Sequence, residues 1–91
     1  MSQEQRTIRF TGNVQGVGFR FTTCRIAESF DVTGSVRNCP DGAVECIVEG
    51  APDEIDAFVR ALEDRMGHFI RDRTEVIAPH TGRFGGFSVS Y

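Results

Sequence analysis

The chain contains no lysine: its ten basic residues are all arginine, against thirteen acidic ones, for a net charge of -3 over 91 residues. That absence excludes Schiff-base chemistry and leaves the guanidinium as the only permanent side-chain cation. The acidic balance argues against a nucleic-acid partner, which calls for a basic stripe, but a small anion held at one positive site stays open. No stretch approaches the roughly 20 consecutive apolar residues of a membrane span, and the opening MSQEQR lacks the apolar run of a signal peptide. No membrane is therefore expected, and the expected location is cytoplasmic. Cys24, Cys39 and Cys46 are three, an odd number without CxxC spacing, and free thiols are expected. His68 and His80 lie far apart with no ligand spacing, so neither a metal nor another cofactor is expected.

What is present reads as one domain, 1–91, with the 40% hydrophobic and 25% charged content of an ordinary globular protein. Ile8 and Phe10 alternate with Thr7, Arg9 and Thr11, which predicts a first strand over 6–13. Phe19, Thr23, Ile26, Ala27 and Phe30 fall at helical spacing and predict a helix to Phe30. Val32, Gly34, Val36 and Asn38 share one face of a second strand, and Val44, Cys46 and Val48 one face of a third. Pro40-Asp41-Gly42 supplies the turn between them. Pairing Asn38 with Val44 and Val36 with Cys46 puts the apolar residues of both strands on one side, and Asn38 with them. Cys39 and Cys46 then face opposite sides. Pro52, Asp53 and Glu54 open a second helix with Ile55, Phe58, Val59, Leu62 and Met66 as its buried stripe, closed by Gly67. Arg71 to Glu75 lead into a strand at Val76 and Ile77; residues 79–86 connect to a short closing strand at Phe87, Val89 and Tyr91. The order predicts an α+β, ferredoxin-like split βαβ fold (βαββαβ plus a closing strand), with two helices on one face of an antiparallel sheet. Two amphipathic helices and five strands are enough to close as a monomer.

The stretch GNVQGVGFRF, residues 12–21, joins the first strand to the first helix. Gly16 and Gly18 permit positive φ on either side of Val17, as a nest of inward-pointing amides requires. The helix N-terminus adds positive potential, and Arg20 in the first turn can close over a tetrahedral anion with two parallel hydrogen bonds. Glycine spacing alone supports a plain tight turn equally well. Two known phosphate loops do not fit: GxxxxGK[ST] needs a lysine, and GxGxxG belongs to a parallel βαβ unit, whereas a hairpin follows here.

GNVQGVGFRF followed by TGSVRNCPDGAVECIVEG resembles the two signatures of the acylphosphatases, a GxVQGVxFR loop and a G-x-V-x-N-x-x-x-G-x-V-x-x-x-x-x-G hairpin. The resemblance implies a metal-free hydrolase that cleaves small-molecule acyl phosphates to a carboxylate and inorganic phosphate. It also implies the site. The amides of Gln15, Gly16, Val17, Gly18 and Phe19 bind the phosphoryl group with Arg20, and Asn38 holds the attacking water, which makes Arg20 and Asn38 the catalytic pair. Ser35, Cys39 and the charged stretch HFIRDRTE depart from the family pattern. The same domain begins larger hydrogenase maturation proteins. A 91-residue chain ending on a finished strand, with Phe21 where those usually carry proline, is expected to be the free-standing form.

The competing class is a non-catalytic module binding an anion or RNA on the same fold. GVGFRF superficially resembles an RNA-recognition motif whose aromatics stack bases, but that motif belongs on the third strand, which here reads AVECIVEG. Two subsidiary expectations concern the surroundings of the pair. The Tyr91 carboxylate pairs with an arginine if the last strand runs near the loop, and Cys39 is an ordinary strand-end thiol unless its position next to Asn38 makes it redox-active.

Overall fold

A computed structural model describes residues 2–91. Strand β1 (Glu4–Gly12) turns Ile8 and Phe10 into the core, both fully buried. Helix α1 (Phe19–Ala27) starts where the periodicity puts it and buries Phe19, Thr23 and Ala27. It stops short of Phe30 because its end tightens. The N–H groups of Glu28, Ser29 and Phe30 reach back three residues, to Arg25, Ile26 and Ala27, at 3.3, 3.0 and 3.1 Å.

Strands β2 (Val32–Asn38) and β3 (Val44–Gly50) pair in the expected register, Asn38 opposite Val44 and Val36 opposite Cys46. The Cys39 N–H donates to the Ala43 carbonyl at 2.8 Å, and Gly42 takes the left-handed position at φ 96°. Helix α2 (Pro52–Met66) buries all five residues of its expected stripe. Glu54 in its first turn accepts the Asp31 N–H at 2.8 Å, tying the helix start to the chain entering β2. Gly67 does end this helix, though in a right-handed conformation (φ -58°), and the chain runs on through a 3-10 turn, Gly67–Phe69.

Strand β4 (Ile70–Pro79) is longer than its apolar residues suggest and absorbs the charged run 71–75. It is an edge strand, and its core-side charges are held by ion pairs, Arg73 to Glu63 at 2.9 Å and Glu75 to Arg6 at 3.3 Å. Strand β5 is Phe87–Val89.

The sheet order is β4-β1-β3-β2-β5. All pairings are antiparallel except β2 with β5, which is parallel, so the sheet is mixed and not antiparallel throughout. The reason lies in the last connection. β4 occupies one edge, and residues 80–86 carry the chain across the outer face to the opposite edge, where β5, reversed relative to β4, meets β2 running the same way. Glu49 pins that crossing. It points outward from β3 yet is 1% exposed, because Thr81 and Gly82 lie over it and donate from the Thr81 hydroxyl (2.6 Å), the Thr81 N–H (3.0 Å) and the Gly82 N–H (2.9 Å). Gln5 adds a fourth donor at 2.7 Å. Burial alone pushes this carboxyl's pKa up; the Thr81, Gly82 and Gln5 hydrogen bonds outweigh it and hold the group down at about 2.

Both helices pack on the other face, where Phe10 and Phe19 rings meet at 5.2 Å and Phe58 and Phe87 at 5.4 Å. Among the described residues, no helix is long and apolar enough to cross a membrane.

Candidate active site

Loop 13–18 hangs from the end of β1 by a few fixed points. Val14 is fully buried, and the Asn13 N–H donates to the Phe69 carbonyl at 2.9 Å. Gly16 and Gly18 both adopt left-handed backbone, φ 78° and 79°, and a Cβ on either would meet nothing within 4 Å. Glycine is therefore needed there for backbone conformation and not for close packing. The consequence is a row of free donors. Among the described residues, no backbone N–H from Gln15 to Phe21 donates to another group of the chain; the first that does is Thr22, to the Gly18 carbonyl at 2.9 Å. α1 has no side-chain cap and no acidic residue in its first turn, so neither a capping side chain nor a first-turn carboxylate offsets the positive end of its dipole.

Arg20 stands on that first turn, half-buried. Phe19 is buried beneath it and Thr23 is locked by its own hydroxyl, which donates to the Phe19 carbonyl at 2.7 Å. Among the described residues the Arg20 guanidinium has no hydrogen bond and no carboxylate partner. Its one marked contact is the Tyr91 ring, with Cζ 5.6 Å from the ring centre. The expected pairing of the Tyr91 carboxylate with an arginine is not made among the described residues; Tyr91 meets Arg20 through its ring instead.

Gly16, Gly18, Phe19, Arg20 and Asn38 line one cavity of about 330 Å³. Of the sequence-predicted site residues, Gln15 and Val17 do not line it: the Gln15 side chain turns toward the β2–β3 turn, and Val17 packs against the core. Sequence reasoning missed Val14, Phe21, Cys24 and Val89 as walls of the cavity. Cys24 lies one helical turn after Arg20, a spacing that could have found it. Burial, with Glu28 second, raises its thiol pKa, so at neutral pH it stays protonated and is a poor nucleophile. Cys39 does not line the cavity, and all three cysteines are free. No Asp, Glu or His side chain lines it either, and among the described residues no three His, Cys, Asp or Glu side chains group to hold a metal ion. The outer face of β3 offers Glu45, Ile47 and Glu49, two carboxylates and no stacking aromatic, which speaks against RNA on the sheet.

Fold and cavity together define a small ferredoxin-like α+β domain that presents an unpaired guanidinium and a row of free amides at one end of its sheet. The acylphosphatase family model matches residues 6–89. An acylphosphatase of Lactobacillus johnsonii is 39% identical over 87 residues, 93% of this chain and 96% of the relative. The crystal structure of acylphosphatase from Bacillus subtilis superposes with a TM-score of 0.86 at 29% identity, covering 97% of this chain and 99% of that one. The T. kodakarensis HypF structure superposes at 0.82 with 30% identity, over 97% of this chain but 12% of HypF. This chain belongs to the acylphosphatase family.

Proposed function

We propose that Arg20 and the Gln15 to Phe19 amides bind the phosphoryl group, and that Asn38 orients water, in the reaction this chain catalyses: hydrolysis of acyl phosphates to a carboxylate and inorganic phosphate. The observation that carries the assignment is that an arginine without a carboxylate partner shares one cavity with Asn38 and with Gly16, Gly18 and Phe19, whose N–H groups donate to no other described group of the chain.

The chemistry asks for little more. The P–O bond to the acyl group breaks with its electron pair leaving on a carboxylate, whose conjugate acid has a pKa of about 4 to 5. That leaving group needs no general acid, consistent with a cavity walled by no Asp, Glu or His. Water forms the new P–O bond, and its proton ends on the phosphate or in solvent. What remains is to hold three phosphoryl oxygens, offset their charge and keep water in line, which is positioning and electrostatics. Arg20 and the amides do the first two. Asn38, neutral with donor and acceptor on one group, orients water without repelling the phosphoryl anion as a carboxylate would.

Residues 1–91 act in this reading as one domain, cytoplasmic and monomeric. The Cα radius of gyration of 12.0 Å equals the roughly 12 Å of a single closed domain of this length, and light scattering tests the monomer. Hydrolysis of benzoyl phosphate in EDTA by the parent, Arg20→Lys and Asn38→Ala tests the site. Lysine cannot reproduce the bidentate fork, so Arg20→Lys loses most activity. Asn38→Ala keeps the phosphate cradle but raises the barrier by about 2 to 4 kcal/mol. Parental turnover by Asn38→Ala would refute the water-holding role.

A further inference from the structure

We infer that Gln15 is the positioning residue of this site: its side chain fastens the phosphate loop to the β2–β3 turn and so fixes where Asn38 stands relative to the phosphoryl cradle. The inference rests on the reading of Asn38 given above. Gln15 Nε2 donates to the Cys39 carbonyl at 2.8 Å and to the Ala43 carbonyl at 2.9 Å. Both partners are carbonyls, so it is the NH2 group that faces them, and both of its hydrogens are used. The two acceptors face each other across the turn, where the Cys39 N–H donates to the Ala43 carbonyl at 2.8 Å and the Gly42 N–H to the Cys39 carbonyl at 3.0 Å. Cys39 is the next residue after Asn38. One side chain therefore ties the loop that leads to Arg20 to the residue adjoining Asn38, 24 positions along the chain.

The loop's other backbone tie, Asn13 to Phe69, lies on the β4 side. Gln15 is thus the tie on the Asn38 side. The cradle does not need it for its own shape, since Arg20 and the amides are carried by the loop glycines and the first turn of α1. The distance between cradle and Asn38 does need it. The chemistry also selects the residue type. Asparagine is one methylene too short, and a glutamate carboxylate would set lone pairs against two carbonyl oxygens. A protonated carboxyl restores one of the two bonds.

A double-mutant cycle on the full chain tests this, using Gln15→Met, Asn38→Ala and the pair, with kcat and KM for benzoyl phosphate and the inhibition constant of inorganic phosphate. A displacement of about 1 Å between reacting groups costs on the order of a hundredfold in rate, so Gln15→Met should lower kcat by about tenfold to a hundredfold. Phosphate inhibition should move less than about threefold, and in the Asn38→Ala background Gln15→Met should cost less than about twofold. Losses that multiply in the double variant, or phosphate affinity lost with kcat retained, would overturn the inference while leaving the role of Asn38 standing. Parental kcat in Asn38→Ala would sink both. Gln15→Glu guards against a mere folding defect, because one sample serves at every pH. Its kcat relative to the parent should rise as pH falls and the new carboxyl gains a proton, and a ratio flat from pH 8 to pH 4.5 would refute the hydrogen-bonded tie.

Discussion

Glu49→Gln should weaken the fold at neutral pH and lose that effect in acid. The side chain is 1% exposed and accepts from the Thr81 hydroxyl and amide and from Gln5 on Oε2, and from Gly82 on Oε1. A carboxamide of the same size can satisfy one set. With its oxygen in the Oε2 position, its NH2 points at the Gly82 N–H and at His80 Nε2, which lies 3.4 Å from Oε1 in the parent. Burial raises the carboxyl's pKa, the hydrogen bonds lower it further than that, and the folded value of about 2 stands against an ordinary 4.5. At about 1.4 kcal/mol per unit the difference is about 3 kcal/mol. Because the folded pKa is depressed, this stabilisation is complete above the unfolded value near 4.5 and is lost as pH falls from there through about 2. Urea unfolding at pH 7 should show Glu49→Gln about 2 to 3 kcal/mol less stable, which for a domain of this size lowers Tm by roughly 10 to 15 °C. The gap between parent and variant should close as both approach pH 2.5. A difference below about 1 kcal/mol at pH 7, or one that does not change with pH, would refute the view that the ionised Glu49 holds the crossing segment.

Two further outcomes concern the cradle. Gly18→Ala meets no neighbour but must hold φ 79°, so it should cost about 1 to 2 kcal/mol of stability and weaken inhibition by inorganic phosphate; unchanged inhibition would mean that the left-handed backbone at Gly18 does not shape the anion site. Tyr91→Leu removes the ring 5.6 Å from the Arg20 Cζ, a contact worth about 0.5 to 1 kcal/mol at an exposed position. Its KM for benzoyl phosphate should rise about two- to fivefold with kcat within twofold, and unchanged kinetics would leave that contact without a role in binding.

Elements with one face on the core were legible from residue pattern. α2 shows all five expected residues buried, and the β2–β3 register follows from keeping Val36 and Cys46 on the same side. Of β4 only the part at Val76 and Ile77 was legible, because an edge strand with residues 71–77 all exposed has no apolar period, and its core side is held by ion pairs that sequence spacing does not advertise. The parallel β2–β5 pair was hidden for a different reason. Its cause is the path of residues 80–86 over Glu49, a contact across 32 positions that no local periodicity encodes. At the site, the positive φ at Gly16 and Gly18 was readable from residue type, since only glycine adopts it cheaply. The use of the Gln15 side chain was not: the sequence offers it as one more loop residue, and only the folded hairpin brings two carbonyls within reach of its amide.

Topology explains why such short signals converge. β1 and β2 are both antiparallel to β3, which lies between them, so they run in the same direction, and Phe10 and Asn38 flank the same residue, Val44. β5 runs parallel to β2, with Val36 beside Val89, and continuing that register sets Tyr91 beside Asn38. Three strands therefore deliver their C-terminal ends to one end of the sheet: β1 hands over the glycine loop and the start of α1, β2 ends on Asn38, and β5 leads to Tyr91. The N-terminus of α1 arrives there for the same reason, because a helix that follows β1 and packs back on the sheet must begin at that end. An anion cradle and a neutral water-orienting amide need only to be held at a fixed separation, and parallel strand ends spaced by one strand supply most of it. What the strands leave loose is the path of the loop between Gly12 and Phe19, and the tie from Gln15 to the hairpin is where that freedom is removed.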